Sequence, residues 1–168
     1  NTTTEFTPQE VHEIGLAEVN RIETEMKGIL KGLGLPTNKI AKTIQELSKD
    51  PRFLYPNTDE GRAEALAEYQ RIIDNVNNNL DQFFDLRPAV GVKVERIPEF
   101  REKTSAAAYY MLPSMDGKRP GVFYANLRDM NEVVKFGMRT LAYHEAIPGH
   151  HFQLSIAQGL KGLPTFRR

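Results

Sequence analysis

Residues 121–151 read GVFYANLRDMNEVVKFGMRTLAYHEAIPGHH, and this stretch predicts a strand that leads directly into a long helix. The apolar run Gly121–Leu127 is typical of a buried strand. Asp129 and Glu132 have the spacing of a capping box, which predicts that a helix begins there and continues to residue 160. A short strand followed by a long helix that carries three histidines indicates an α+β fold.

The N-terminal half, residues 1–86, is predicted to be helical. Three helices fit the apolar periodicity, the N-cap residues and the helix-ending prolines and glycines: Thr7–Leu33, Thr37–Ser48 and Thr58–Phe84. In the first helix apolar side chains recur every three to five residues, and in the third they recur every three or four. We interpret the regular stripe of the third helix as core packing rather than as a groove for a cofactor or a partner.

Residues 88–127 are predicted to form a small sheet. Three segments have the apolar pattern of strands: Val90–Val94, Ser105–Leu112 and Gly121–Leu127. The prolines and the glycine between the last two predict a loop or a wide hairpin. The expected fold class is therefore mainly α with a small β-sheet, helical over 1–86, with the sheet over 88–127 and a final, kinked helix over 129–160.

The composition is that of a globular chain, and it excludes several classes of function. Of the 168 residues, 40% are hydrophobic and 26% are charged, with 22 basic and 22 acidic side chains. No apolar run approaches the roughly 18 residues that a membrane-spanning helix needs, so we predict no transmembrane segment. The absence of cysteine excludes disulfides and thiolate metal ligands. No dense basic run contains aromatics, so we predict no nucleic-acid partner.

Three of the four histidines lie close together, in the segment Tyr143–His151, which reads YHEAIPGHH. A helix that directs two histidines and an adjacent glutamate to one point is the scaffold of zinc peptidases, where the histidines bind zinc and the glutamate is a general base. The usual spacing is His-Glu-x-x-His, because residues four apart lie only about 40° apart around a helix and about 6 Å along it. Here Pro148 occupies the position four residues after His144, so the simple motif is absent.

The proline and the glycine predict a break that restores the required geometry. On an unbroken helix His150 points about 120° away from His144, and His151 lies about 10.5 Å farther along the axis. Pro148 lacks an N–H for the helical hydrogen bond and Gly149 tolerates unusual dihedrals, so a two-residue bulge here moves His150 into the second ligand position. We predict His144 and His150 as metal ligands, with His151 as the alternative ligand or as a hydrogen-bonding partner of a ligand. The other interpretation is a kinked surface helix whose histidines are incidental.

A third protein ligand is not visible in the sequence that follows the histidines. Residues 152–168 contain no Asp, Glu, His or Cys, although catalytic zinc sites use three protein ligands and keep one open position. Either an upstream carboxylate completes the site, or the chain is an incomplete piece. We favour the second interpretation.

The segment Tyr143–Gln153 resembles the signature of a large bacterial family that is catalogued only as a domain of unknown function. Its members are predicted zinc metallopeptidases of the gluzincin type. Thr7–Ile22 and Ala108–Asn126 are similar to two further blocks of the same family. The resemblance implies a mostly helical, metallopeptidase-like fold in a bacterial protein. The sequence leaves the compartment open between the bacterial cytoplasm and the cell envelope, including the periplasm.

The same resemblance implies a role for each residue of the motif. His144 and His150 bind zinc, and Glu145 acts as general base and then as proton donor to the leaving amine. Family members run to several hundred residues and take a third ligand from a Glu-Gly-Trp-Ala-Leu-Tyr segment, whereas this chain has no tryptophan. We therefore expect residues 1–168 to be a single piece of a larger catalytic domain, with its N- and C-terminal parts missing, and to be inactive alone.

The expected substrate is a short peptide, and three further residues are candidates for binding it. The strand Ser105–Leu112 is a candidate sheet edge that pairs with an extended peptide. Tyr109 or Tyr110 is a candidate to stabilise the oxyanion, and Arg119 is a candidate to bind a substrate carboxylate. Two other functions stay open: a metal-dependent hydrolase of a non-peptide amide or ester, and a non-catalytic helical module.

Overall fold

The fold was obtained as a computed structural model, which describes residues 3–162, 164 and 166. The chain divides into two compact units, Asn1–Asp50 and Pro51–Arg168. No helix in the described part of the chain is both long enough and apolar enough to cross a membrane.

The first unit contains two helices, α1 (Pro8–Gly32) and α2 (Ile40–Leu47). The predicted capping box at the start of α1 is present, because the Thr7 backbone N–H donates to Glu10 Oε2 at 2.7 Å and the Thr7 hydroxyl accepts from the Glu10 backbone N–H. The apolar stripe of α1 is also present, but Leu30 is the member that is buried, whereas Val11, Val19 and several others are exposed. An eight-residue α2 extends for about 12 Å, so within this unit it can cover only the last turns of a much longer α1.

The second unit is an α+β structure, as predicted. Its elements in the described part of the chain, in order, are Pro51–Phe53 (3-10), α3 (Asp59–Asn77), Leu80–Gln82 (3-10), β1 (Val92–Arg96), α4 (Glu99–Glu102), β2 (Ala108–Met111), β3 (Gly121–Ala125), Met130–Glu132 (3-10), α5 (Lys135–Glu145) and α6 (Gly149–Gly159). The α3 helix is shorter than the predicted Thr58–Phe84. It ends in the run Asn77-Asn78-Asn79, whose short amide side chains compete for backbone hydrogen bonds, as the bond from Asn79 Nδ2 to the Asn75 carbonyl shows.

The three strands form a mixed sheet in the order β1-β3-β2. The central strand β3 is parallel to β1 and antiparallel to β2, which leaves β2 at one edge. Phe123 of β3 is fully buried against Tyr69 of α3, with 5.0 Å between the ring centroids. The core of this unit therefore lies between the sheet and helices α3 and α5, and it fixes β2 beside α5.

The predicted kinked helix over 129–160 is wrong at its start, since α5 begins only at Lys135. Asp129 does act as a cap, but its side chain accepts from the Asn131 backbone N–H and closes the 3-10 helix Met130–Glu132. Val133, which follows that turn, is buried in the core and has a non-helical backbone. The buried Val133 therefore lies between the capped 3-10 helix and the start of α5.

Candidate metal centre

The helix that carries the histidines is broken, as predicted. Helix α5 ends at Glu145, residues 146–148 form a turn, and α6 begins at Gly149. The backbone N–H of His151 reaches back five residues to the carbonyl of Ala146 at 3.1 Å, so hydrogen bonding resumes across the turn with a wider spacing than in an α-helix. The break brings His150 close to His144.

Gly149 is required by the closeness of the two helices at this turn. A Cβ atom at position 149 would lie 1.8 Å from the carbonyl oxygen of His144 and 2.4 Å from that of Tyr143. Both obstacles are backbone atoms, which cannot rotate out of the way as a side chain can. Only glycine allows α6 to begin directly against the last turn of α5.

The turn brings three potential ligands together. One side-chain donor atom from each of His144, Glu145 and His150 lies within 4.8 Å of the other two. The centroids of the His144 and His150 imidazole rings are 4.9 Å apart, and the ring planes are nearly perpendicular, at 82°. His144 is exposed and the other two are half-buried, so one side of the cluster is open to solvent. Two imidazoles and a carboxylate in this arrangement can hold a metal ion.

Gln153 orients one of these histidines. His150 Nδ1 donates to Gln153 Oε1 over 2.9 Å, one turn farther along α6. This hydrogen bond leaves the lone pair of His150 Nε2 free to face a metal, as the outer hydrogen bonds of metal-binding histidines generally do. The sequence contained a signal for this contact, since residues three apart on a helix are neighbours, but Gln153 was not among the predicted site residues.

The structure places His151 apart from the cluster. It is 1% exposed, and both of its ring nitrogens are used: Nε2 donates to the Val90 carbonyl at 3.0 Å and Nδ1 accepts from the Tyr110 hydroxyl at 2.7 Å. Burial lowers the pKa of His151 below its ordinary value, which favours the neutral ring that this pattern of hydrogen bonds requires. His151 thus ties the first turn of α6 to β2 and to the segment before β1.

Gly121 makes room for the contact between Tyr110 and His151. A Cβ atom at position 121 would lie 2.4 Å from the Tyr110 hydroxyl oxygen and 2.9 Å from His151 Nδ1. Burial raises the pKa of Tyr110, against the opposing effects of a hydrogen bond to Ser155 and of the positive charge of Arg119. The hydroxyl therefore stays protonated and serves as the donor to His151.

Tyr109 and Arg119, the two other residues predicted to bind substrate, have surroundings that differ from those of Tyr110. Tyr109 stacks on Tyr124 with 5.0 Å between the ring centroids, and the Arg101 guanidinium lies 5.9 Å from its ring. Arg119 is exposed in the loop before β3, where its backbone N–H donates to Ser114 Oγ. None of these contacts reaches the histidine cluster, so the substrate roles of Tyr109 and Arg119 stay predictions.

We expect the substitution Tyr110→Phe to destabilise the fold, because it removes the close donor to the buried Nδ1 of His151. Ser155 Oγ, 3.3 Å from Nδ1, remains as a longer partner, so the expected cost is that of one hydrogen bond, about 0.5–1.5 kcal/mol in the free energy of unfolding. Urea denaturation of the 168-residue chain measures the loss. Tyr109→Phe is the matched control, since the buried Tyr109 hydroxyl has no hydrogen-bond partner among the described residues and its removal is expected to cost little. Equal losses in the two variants would contradict the assignment.

The fold and the cluster define this chain as an α+β protein with a candidate metal centre at a break between two helices. It belongs to the family DUF885, described as a bacterial protein of unknown function, whose sequence profile matches residues 1–168. No curated protein matches the chain.

A solved structure that is similar to the chain is described as "the putative lipoprotein from Colwellia psychrerythraea". The sequence identity is 36% and the TM-score is 0.83. The match covers 92% of this chain but 26% of that protein, so the chain spans about a quarter of the length of the structure it resembles.

Proposed function

We propose that this chain carries the metal ligands and the general base of a zinc-dependent peptidase that acts on short peptides. The observation that carries the proposal is the convergence of His144, Glu145 and His150 across the turn at 146–148. A chain with a straight helix at this point would hold the two histidines too far apart to share an ion.

The donor set fits zinc. Imidazole nitrogens and carboxylate oxygens are common zinc ligands, and His150 already has the outer hydrogen bond that zinc-binding histidines use. When bound, a zinc ion supplies Lewis acidity and lowers the pKa of a water molecule toward about 7. We assign His144 and His150 to hold the ion, with a further ligand supplied from outside the 168 residues.

Glu145 is the proposed general base. It follows a proposed ligand directly in the sequence and is half-buried, with its carboxylate in the same group of donor atoms. From there the carboxylate takes a proton from the attacking water and then delivers it to the amine that leaves. The exposed side of the cluster at His144 gives a peptide access to this carboxylate.

The edge strand β2 supports a peptide as the substrate. Among the described residues its partner in the sheet is β3 alone, so the backbone groups on its other edge are not used by the described sheet. Because α5 packs against β2, an extended peptide that pairs with this edge lies beside the helix that ends in His144 and Glu145. Backbone pairing of this kind binds peptides with little dependence on sequence.

The whole enzyme is proposed to be longer than this chain and to reside in the cell envelope. The similar structure is about three and a half times as long and is described as a "putative lipoprotein", which supports both points. We expect residues 1–168 alone to bind zinc weakly and to lack activity, because two histidines supply fewer ligands than a catalytic zinc site uses.

The test measures zinc content and amine release from a pool of short peptides, using the full natural polypeptide and its His144→Ala variant. We expect the variant to lose both the metal and the hydrolysis. His12→Ala is the matched control, because His12 is exposed on α1, outside the cluster, and both quantities are expected to stay unchanged.

Other outcomes favour the other functions. A zinc-loaded protein that hydrolyses esters or other amides but no peptide would be a non-peptide hydrolase. A protein that retains no metal and hydrolyses nothing would be a helical module without catalytic activity.

A further inference from the structure

A pocket of about 150 Å³ lies between the first turns of α5 and the residues that lead into β2. Its walls include Ala107 just before the edge strand and Gly137 and Leu141 on α5. An apolar cavity of about 150 Å³ is large enough to bind a benzene-sized group. The pocket can therefore accept the side chain of a leucine or a phenylalanine.

The pocket lies on the side of α5 that carries the proposed catalytic residues. A helix turns about 100° per residue, so Leu141 lies about 40° from Glu145 and about 60° from His144 around the helix axis. It therefore lies between these two residues in direction, about one turn before them along the helix. Gly137 lies one further turn back, about 40° from Leu141. The pocket therefore lies on the same side of α5 as the histidine cluster. It also lies beside the edge of β2 that is proposed to bind the peptide.

The chemistry of the walls favours an apolar occupant. Most of the lining is apolar, with Val133, Val134 and Leu141 among its members. The amide of Asn126 also lines the pocket, but its Nδ2 donates to the backbone carbonyl of Glu102 at 2.8 Å and its Oδ1 accepts from the Arg128 backbone N–H at 3.2 Å. Its polar atoms are therefore already engaged within the protein.

One charged side chain, that of Glu132, is part of the described lining. Glu132 is exposed, so its carboxylate lies toward the solvent side of the pocket. A fixed negative charge there disfavours an acidic side chain. The pocket walls therefore favour binding of an apolar side chain and disfavour binding of an acidic one.

We infer that this pocket is a specificity subsite that takes an apolar side chain of the peptide next to the cleaved bond. The inference rests on the proposed peptidase function and narrows its substrate class to peptides with an apolar residue at one position flanking that bond. Aspartate or glutamate at the same position is excluded by Glu132.

Gly137 allows a sharp test, because a Cβ atom added there meets no other atom within 4 Å. Gly137 forms part of the pocket wall, so a larger side chain at this position extends into the pocket. The experiment compares kcat/KM of the zinc-loaded full natural polypeptide and its Gly137→Leu variant. The substrates are matched peptides with Leu, Gly or Asp at each position flanking the cleaved bond.

We expect the unsubstituted protein to prefer Leu over Gly by at least about tenfold at one of these positions, since a single methylene group in an apolar pocket is already worth about 10–200-fold. Gly137→Leu is expected to abolish that preference, so that the kcat/KM values for the Leu peptide and the Gly peptide become similar. Gly28→Leu is the control, because Gly28 lies inside α1 with equally open surroundings.

A second variant, Leu141→Ala, enlarges the pocket and is expected to shift the preference from Leu toward Phe. It tests the subsite even if Gly137→Leu fails to fold. Cleavage of all peptides without an apolar preference, or equal loss for all peptides in Gly137→Leu, overturns the subsite and leaves the peptidase standing. Absence of cleavage of any peptide by the zinc-loaded protein overturns the proposed function and the subsite together.

Discussion

The substitution Glu145→Gln is expected to leave zinc bound and to lower the rate of peptide hydrolysis by about 10²–10⁴-fold, the range in which a general base usually contributes. Glutamine has the size of glutamate and still hydrogen-bonds a water molecule, but it cannot accept the proton. His144 and His150, which we assign to hold the ion, are unchanged. Turnover of a short-peptide pool and zinc content, measured on the same samples of the full natural polypeptide, check both parts of this expectation.

The control for this variant is Glu64→Gln, on the exposed side of α3. It makes the same chemical change away from the cluster and is expected to leave the rate unaltered. If Glu145→Gln hydrolyses peptides as fast as the unsubstituted protein, Glu145 is not the base. If it loses zinc together with activity, Glu145 is a ligand instead.

Gly149→Ala is expected to have the second large effect, because one added methyl group collides with backbone atoms. Its carbon would lie 1.8 Å from the His144 carbonyl oxygen, so the turn at 146–148 must open. Overpacking of this kind typically costs about 1–3 kcal/mol in the free energy of unfolding. Since opening the turn separates His144 from His150, we also expect zinc affinity to fall by about 10–100-fold, as when the supports of metal ligands are removed.

Urea denaturation and competition for zinc with a coloured chelator measure the two effects. Gly159→Ala is the matched control, because Gly159 ends the same helix and a Cβ atom there meets nothing within 4 Å. Unchanged zinc affinity in a folded Gly149→Ala protein would show that the close approach of the two helices is not what brings the histidines together.

The structural features that could be predicted from the sequence are those set by residues close together in the chain. Pro148 and Gly149 cannot continue an α-helix without cost, and the spacing of the histidines then requires a break between them. The strand pattern placed β2 and β3 to within a few residues, and the capping box of α1 is present as predicted. These features are set by backbone stereochemistry and by the alternation of apolar side chains.

Contacts between distant parts of the chain could not be predicted in the same way. His151 meets Tyr110 and Val90, which lie 41 and 61 residues earlier, so the local pattern could not predict its hydrogen bonds or its burial. The parallel pairing of β1 with β3 and the buried Val133 that delays the start of α5 likewise follow from packing. The neighbouring histidines therefore have different surroundings because the tertiary structure encloses one and exposes the other to the open side of the turn.

The turn at 146–148 has a consequence for recognising and transplanting such centres. A sequence search for two histidines four positions apart misses this chain, because His144 and His150, the pair that converges, are six positions apart in sequence. Grafting only the side chains of the motif onto a regular helix of another protein would not reproduce the centre, since the geometry resides in the backbone. A graft has to include the interrupted main chain, with a glycine where the two helical segments touch.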